Sequence, residues 1–547
     1  MPAPSPDAAA PRHLFPGLPL GFEEPDSRLA LSRRTLAMAA ENPALEPLAR
    51  GMAAWTWQRD PLSQGTCRLL LEAGQNGPAC GETANVLAQR LDALLSLPFP
   101  ADDWQALMQS GEHALVLRHL LPRLRTPGTG AAWLARTWDW LMRLGRADLP
   151  RDMLEATAWE PALLPLRDRL LAEWTFFYAA SDEALERIEA LGECFGHWRL
   201  LAACEALTHL GRETEARERL ETLWRRLPWH PHLTLKLHAL RHAPAPARDA
   251  SDAVVLLYSW NKRDLLRATL EGVAGPDLLG ARVAVLDNGS TDGAGDMLRQ
   301  VRERFPEGAL EIVSLPVNVG APAARNWLLS LPRVRAATHA VFLDDDVVLP
   351  KGWLARLLGT ARAHPEAGVV GCRIVSASAP VCLQSADYNL LPGRQGVESF
   401  PGFPENIHLF DNTASGLDLG LFSYVRRTLS VSGCCHALRV STLDTVGGFD
   451  LRLSPTQFDD LERDLRANLA GVPVLYDGGL AVRHVQHSSL ARAKSTAAVG
   501  QVLGNKVKLE CLYDQEQIKS LAESGLDRLW DDLAVKEREL RAETASA

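Results

Sequence analysis

Ala340-Val341-Phe342-Leu343-Asp344-Asp345-Asp346-Val347-Val348 is an apolar, β-branched run that stops at three consecutive carboxylates. It reads as a buried strand with an acidic tip. In an open α/β sheet, ligands collect beyond the carboxyl ends of the strands, so chemistry is expected there. Adjacent carboxylates repel unless a cation joins them, and oxygen donors suit Mg²⁺ or Mn²⁺. Alone, the run also fits a solvated turn; its company along the chain decides between the two.

That company lies mostly upstream. Val254 to Trp260 is a second buried apolar run, ending at Asn261. A helical segment follows to Glu271, then a third run, Arg282 to Leu286, which stops at Asp287-Asn288-Gly289-Ser290-Thr291-Asp292. The next helix is expected from about Gly293 to Arg304. Strands alternating with helices predict an α/β domain whose parallel sheet carries helices on both faces. Ser290, Thr291 and Asp292 fit ordinary helix caps. Asp287 stands at a strand tip, placed to reach into the crevice.

The first half of the chain has another character. From Leu29 to His242 it is rich in Leu, Ala, Arg and Glu, the composition of helices, and eleven of the fifteen tryptophans fall there. Turn-like tetrads start at Gly111, Gly145, Ser181 and Gly211, spaced by 34, 36 and 30 residues. Each follows one apolar-periodic helix and precedes another. This resembles degenerate tetratricopeptide repeats, which stack helix pairs into a solenoid. A plain helical bundle fits the pattern as well. His242-Ala243-Pro244-Ala245-Pro246-Ala247-Arg248-Asp249 breaks the periodicity as a linker would. The expected division is a Pro-rich flexible leader over 1–28, an all-α repeat domain over 29–242, a linker over 243–252, an α/β domain over 253–514, and a charged helix over 515–547. In that last helix Leu521, Leu526, Trp530 and Leu533 form an apolar side.

Five blocks in one order carry a second resemblance. The strand ending in Trp260-Asn261 comes first, then Val285-Leu286-Asp287-Asn288-Gly289-Ser290-Thr291-Asp292, then Asn318-Val319-Gly320 with Ala323-Ala324-Arg325-Asn326, then Leu343-Asp344-Asp345-Asp346. The fifth is Gly447-Gly448-Phe449-Asp450 followed by Phe458-Asp459-Asp460-Leu461-Glu462 and Arg466. Together they resemble a family 2 glycosyltransferase with the GT-A nucleotide-sugar fold, over roughly Val254 to Ser489.

The resemblance implies a metal-dependent, inverting transfer from a nucleoside diphosphate sugar, UDP favoured, with dTDP and GDP open. It implies Mn²⁺ or Mg²⁺ between Asp344 and Asp346, with Asp346 as the direct ligand, Asp344 nearer the ribose and Asp345 as a further candidate. A late histidine completes the metal set, either His484 or His487. Asp287 would accept from the base's ring N–H, with Asn261 and Asn288 beside it. Gly320, Arg325 and Asn326 would line the nucleotide pocket, although Arg325 also fits an ion pair with an aspartate. Asp460, or Asp459, would be the general base toward the acceptor hydroxyl. Here the sequence has Asp459 and Glu462 where the family has Glu and Asp. Cys434 and Cys435 read as packing residues near the transferred sugar. The segment 376–427 reads as a long irregular acceptor-side loop. The basic run through Arg492, Lys494, Lys506 and Lys508 is placed to fold over the pyrophosphate.

Composition removes other classes. The net charge of −9 gives no field for nucleic acid, and no apolar run approaches a membrane span. Nine cysteines without C-x-x-C spacing suit a reduced, cytoplasmic protein rather than a zinc or disulfide frame. The acceptor is expected to be a glycan or a protein, the latter recruited by the helical half. Two rivals stand beside this reading. A sugar-nucleotide pyrophosphorylase would want a Gly-rich loop after the first strand, where Ser259-Trp260-Asn261-Lys262-Arg263 has no glycine. An inactive binding scaffold would have no reason to keep Asp287, Asp344, Asp346 and Asp460 together.

Overall fold

A computed structural model describes residues 12, 14–75, 77–400, 403–411, 416–485 and 496–546. The chain divides into two compact units. One holds residues 22–233, and the other holds residues 234–546 with the described residues before 22.

The first unit is all-helical among its described residues. Each expected tetrad separates two helices: Ala101–Gln109 from His113–Leu124, Gly130–Arg143 from Asp148–Ala156, Leu164–Tyr178 from Ser181–Glu189, and Gly196–His209 from Glu213–Arg226. Gly111, Gly145 and Gly211 all adopt φ +71°, the left-handed conformation that ends a helix without Cβ strain. The Ser181 tetrad lacks glycine, and there Ala179 and Ala180 end the helix in extended backbone. Tryptophans fill the interior: Trp57 stacks on Phe195 with centroids 5.1 Å apart, and Trp198 is fully buried.

Within the leader expected over 1–28, the described stretch 14–28 carries helical structure. Phe15, Leu18, Leu20, Phe22 and Glu23 are all buried. Pro25 does not break structure. It opens the helix Pro25–Glu41, where no N–H is required, and the Glu24 carboxylate accepts from Asp26 N and Ser27 N at 3.2 and 2.6 Å. Buried Glu23 accepts from Trp55 Nε1 at 2.7 Å and Arg59 Nε at 3.2 Å, and meets His230 Nε2 at 2.9 Å. Every oxygen of this buried acid is therefore used.

The second unit is built on a mixed sheet. Its parallel half comprises β1 (Ala253–Ser259), β2 (Arg282–Asp287), β3 (Leu310–Ser314) and β4 (His339–Leu343), in the order β3-β2-β1-β4. β4 is buried along its whole length and β1 nearly so, as parallel strands covered on both faces must be. Helices Arg263–Val273, Ala294–Val301, Ala321–Ser330 and Trp353–Ala363 supply that cover. After the short β5 (Val347–Val348) come β6 (Val369–Ser376) and β7 (Leu383–Ser385). The small strands β8 (Tyr388–Leu390), β9 (Val397–Phe400), β10 (Phe403–Glu405) and β11 (Leu409–Asp411) lie off the main sheet. β12 (Val425–Thr428), β13 (Cys435–Arg439) and β14 (Val474–His484) finish it as β12-β14-β6-β13-β4.

The segment 376–427, expected as a loop, thus carries β7 to β12. Asp387 within it is buried, accepting from Tyr424 OH at 2.8 Å and Asn389 Nδ2 at 3.0 Å. The linker segment lies along the α/β unit, with Ala247 N donating to Ala355 O at 2.8 Å and Ala250 N to Leu279 O at 2.8 Å. The last helix spans Gln515–Ser546 and buries Leu521, Trp530 and Leu533. Among the described residues no helix is long and apolar enough to cross a membrane.

Candidate active site

Strand order reverses between β1 and β4, and the crevice at such a switch point is where ligands bind. Leu257 pairs with Leu343, so two residues on Ser259 meets the acidic tip. Ser259 Oγ donates to Asp345 Oδ2 at 2.6 Å, and Lys262 Nζ lies 2.7 Å from Asp345 Oδ1 and 3.3 Å from Asp346 Oδ2. Burial pushes the Asp345 carboxyl up, with Lys262 and Ser259 opposing the rise. Burial alone would weaken the Lys262 charge, yet Asp345 and Asp346 hold it more firmly protonated than usual. Asp345 is therefore a scaffold acid for the end of β1.

Asp346 and His484 are joined by the backbone before their side chains meet. β14 pairs His484 with Val347 and with Ser376, and Val485 N donates to Asp346 O at 2.9 Å. His484 Nε2 then sits 3.0 Å from Asp346 Oδ1 and 4.0 Å from Asp344 Oδ2, while Nδ1 faces Gln384 Oε1 at 2.9 Å. Burial would lower the imidazole pKa, but the bond to Asp346 and the charge of Asp344 leave it raised. Asp344 keeps 26% of its side chain exposed against 1% for Asp346, so it is the open carboxylate of the pair.

β13 brings a residue whose chemistry the sequence did not reveal. It runs antiparallel to β4 with Cys435 opposite Leu343, and Asp344 N donates to Cys434 O at 2.9 Å. Cys435 points into the core and is fully buried. Its neighbour Cys434 turns toward the acidic tip, and ligand atoms of Asp344, Cys434 and His484 all lie within 4.8 Å of one another. Only strand alternation, which sends neighbouring side chains to opposite faces of the sheet, signals this in the sequence. This donor set fits a divalent cation: an open carboxylate, a thiol, and an imidazole whose far nitrogen is anchored by Gln384.

The next residue back leads to the second acidic pair. Gly433 N donates to Asp460 Oδ2 at 2.9 Å. Asp459 and Asp460 open the helix Asp459–Leu469, where the helix N-terminus favours their charge. Buried Arg325 donates from Nη1 to Asp459 Oδ2 at 2.7 Å, and its guanidinium lies 5.4 Å from the Tyr258 ring and 5.0 Å from Phe449. Burial drives the Asp459 carboxyl up to about 6 in spite of Arg325, with Asp460 adding to the rise. Burial also opposes the Arg325 charge, yet Asp459 above all holds that guanidinium protonated. Arg325 thus occupies the ion pair offered as its second role.

The remaining sequence-selected residues brace loops. Asn261, at φ +53°, accepts from Thr291 N at 2.8 Å, and its own N–H donates to Ser290 Oγ at 3.0 Å. Asp287 Oδ1 accepts from Ser290 N at 3.0 Å, so the tips of β1 and β2 share one hydrogen-bonded loop. Asn288 Oδ1 accepts from Val319 N at 3.0 Å, and Gly320, at φ +86°, donates to Asn318 Oδ1 at 2.8 Å. Asn326 exchanges two 2.7 Å bonds with the Phe449 backbone, which uses its amide on the Gly447-Gly448-Phe449 turn. Lys506 is tied to Glu510 and Ile407 O, and Lys508 to Asn505. His487, Arg492 and Lys494 lie outside the described residues.

Residues 252–498 match the family model described as "Glycosyltransferase like family 2". The O-antigen biosynthesis protein RfbC of Myxococcus xanthus is 28% identical over 172 residues, 31% of this chain and 12% of that protein. The chain therefore spans about an eighth of the length of the curated relative it matches. Among solved structures, GalNAc-T7 with UDP, GalNAc and Mn²⁺ is 13% identical at a TM-score of 0.38, covering 50% of this chain and 49% of that one. A mannosyltransferase, PcManGT from Pyrobaculum calidifontis with GDP-Man and Mn²⁺, is 18% identical at a TM-score of 0.32, covering 63% and 90%.

Proposed function

Taking residues 252–498 as a glycosyltransferase-like family 2 domain, we propose that this chain moves a sugar from a nucleoside diphosphate donor to a hydroxyl acceptor, with inversion and with a divalent cation. One observation carries the reading: the Gly433-Cys434 strap touches both acidic centres, Gly433 N bonding Asp460 and Cys434 meeting Asp344 and His484. In this reading a base and an anion-stabilising centre flank one crevice at the switch point.

Asp344 and His484 hold the cation in this reading, with buried Asp346 orienting the imidazole rather than ligating first. The bound cation, Mn²⁺ or Mg²⁺ in kind, supplies Lewis-acid stabilisation of the departing diphosphate. Asp287, with Asn261 and Asn288 shaping its loop, accepts a hydrogen bond from the base, which favours a pyrimidine and hence UDP. Asp460 accepts the proton of the attacking hydroxyl. Asp459 stays clamped by Arg325 and keeps a second negative charge beside it. A single base opposite the leaving group gives one displacement and inversion. The helical unit is assigned to acceptor recruitment, which makes a protein or glycan chain the acceptor; removing residues 22–233 should then reduce acceptor use while leaving donor binding.

Calorimetric titration of UDP, dTDP, GDP and CDP, with Mn²⁺ and with EDTA, tests the donor site on wild type and Asp344→Asn. Metal-dependent binding of one nucleotide, lost in the variant, is expected. A folded protein that binds none of them would refute it.

A further inference from the structure

We propose that Cys434 is a direct ligand of the cation, so that the donor set is Asp344, Cys434 and His484 and the site takes Zn²⁺, Co²⁺ or Mn²⁺ in preference to Mg²⁺. The inference rests on the metal-dependent reading above and narrows which metal that reading requires.

Backbone pairing fixes where the sulfur lies. Cys435 is opposite Leu343 and buried in the core, so strand alternation turns Cys434 to the other side, facing the crevice. The bond from Asp344 N to Cys434 O, 2.9 Å, locks the two residues together. His484 is held independently, by pairing of β14 with β5 and β6 and by Gln384 at Nδ1. Three strands from different parts of the chain therefore deliver a carboxylate, a thiol and an imidazole to one point, all within 4.8 Å. One flank of Cys434 rests on the apolar core, and the Asp344 and His484 donor atoms lie near its sulfur.

The chemistry of that set is selective. Mg²⁺ keeps oxygen ligands and sheds water reluctantly, so a thiolate is a poor exchange for one of its waters. Imidazole and thiolate suit borderline cations, with Zn²⁺ and Co²⁺ ahead of Mn²⁺ in the usual order. Three protein ligands also leave open positions, as a catalytic site needs for the diphosphate oxygens. On binding, the Cys434 thiol releases its proton to solvent and its sulfur lone pair forms the bond to the metal. Nothing is oxidised or reduced.

Co²⁺ titration of the metal-free full-length protein tests this, because thiolate-to-cobalt charge transfer absorbs in the near ultraviolet whatever the activity. Wild type should bind one Co²⁺ per chain with that band, and Zn²⁺ should displace it where a thousandfold excess of Mg²⁺ does not. Cys434→Ser should lose the band and weaken Zn²⁺ at least about tenfold, whereas exposed Cys511→Ser should match wild type. Co²⁺ bound without the band, or a band that persists in Cys434→Ser, would overturn the role of Cys434 and leave the metal-dependent reading standing. A chain folded by circular dichroism that binds neither Co²⁺, Zn²⁺ nor Mn²⁺ would overturn both.

Discussion

Replacing Arg325 by methionine removes a buried charge while keeping most of the length and packing of the side chain. In the wild type Nη1 meets Asp459 Oδ2 at 2.7 Å, and both side chains are almost wholly buried. Without the guanidinium, Asp459 keeps Asp460 as a like-charged neighbour and has no cation on that side. Breaking a buried pair from one end costs about 3–5 kcal/mol, because the surviving charge stays desolvated.

The pH dependence separates this cause from simple loss of packing. Asp459 has a folded pKa raised to about 6 from an ordinary 3.8. Its favourable contribution is therefore complete below the unfolded value and is lost as pH rises through 6. By pH 8 that loss amounts to ~3 kcal/mol in the wild type, about two pKa units at 1.36 kcal/mol each. Methionine raises the folded value further, so the loss continues beyond pH 6 and adds roughly 3 kcal/mol by pH 8. At pH 5 Asp459 is mostly protonated in both proteins, and the variant should lie within about 2 kcal/mol of wild type. Calorimetric unfolding at pH 5 and pH 8 reads the difference: the gap in Tm should widen by roughly 5 °C between them. Asp459→Asn should mark the transition involved, and the double variant should recover most of the extra loss at pH 8. A destabilisation equal at both pH values, or a strictly additive double variant, would refute the clamp.

Gly433→Ala would place a Cβ 2.7 Å from Asp460 Oδ2 and 2.8 Å from Arg325 Nη2; nucleotide binding should survive, while nucleoside diphosphate release from the donor that binds falls about 10–100-fold. Asp464 is buried with its pKa driven up to about 7 by burial, against bonds from Ser430 Oγ and Val431 N. Its stabilisation is present below pH 4 and lost through pH 7, so Asp464→Asn should gain on wild type by ~4 kcal/mol over that interval in thermal unfolding. Tyr513 OH donates to buried Glu462 Oε1 at 2.9 Å, so Tyr513→Phe should cost about 1–3 kcal/mol in denaturant unfolding with little change in nucleotide affinity.

The parts of the molecule legible in the sequence are those set by local pattern. Buried parallel strands are continuous apolar runs, and the tips of β1, β2 and β4 were visible because each run stops at a polar cluster. Helix pairs showed through left-handed glycines spaced like repeats. Long-range pairing left no comparable mark. That Asn326 braces Phe449, 123 positions away, and that Arg325 clamps Asp459, 134 away, follow from the docking of helix 321–330 on the turn before helix 459–469. Pro25 is hard to read for a related reason, being a breaker within a helix but a good first residue of one. Cys434 is the sharpest case. A vicinal cysteine pair in an apolar stretch looks like packing, and for Cys435 it is. The two residues differ only in which side of β13 they face, and that is decided by the register with β4 rather than by any neighbour in sequence. The same register sets Gly433 beside Asp460. The end of β13 therefore meets both halves of the candidate site, and a one-residue slip of that strand would carry the thiol away from Asp344 and His484 and the backbone donor away from Asp460 together.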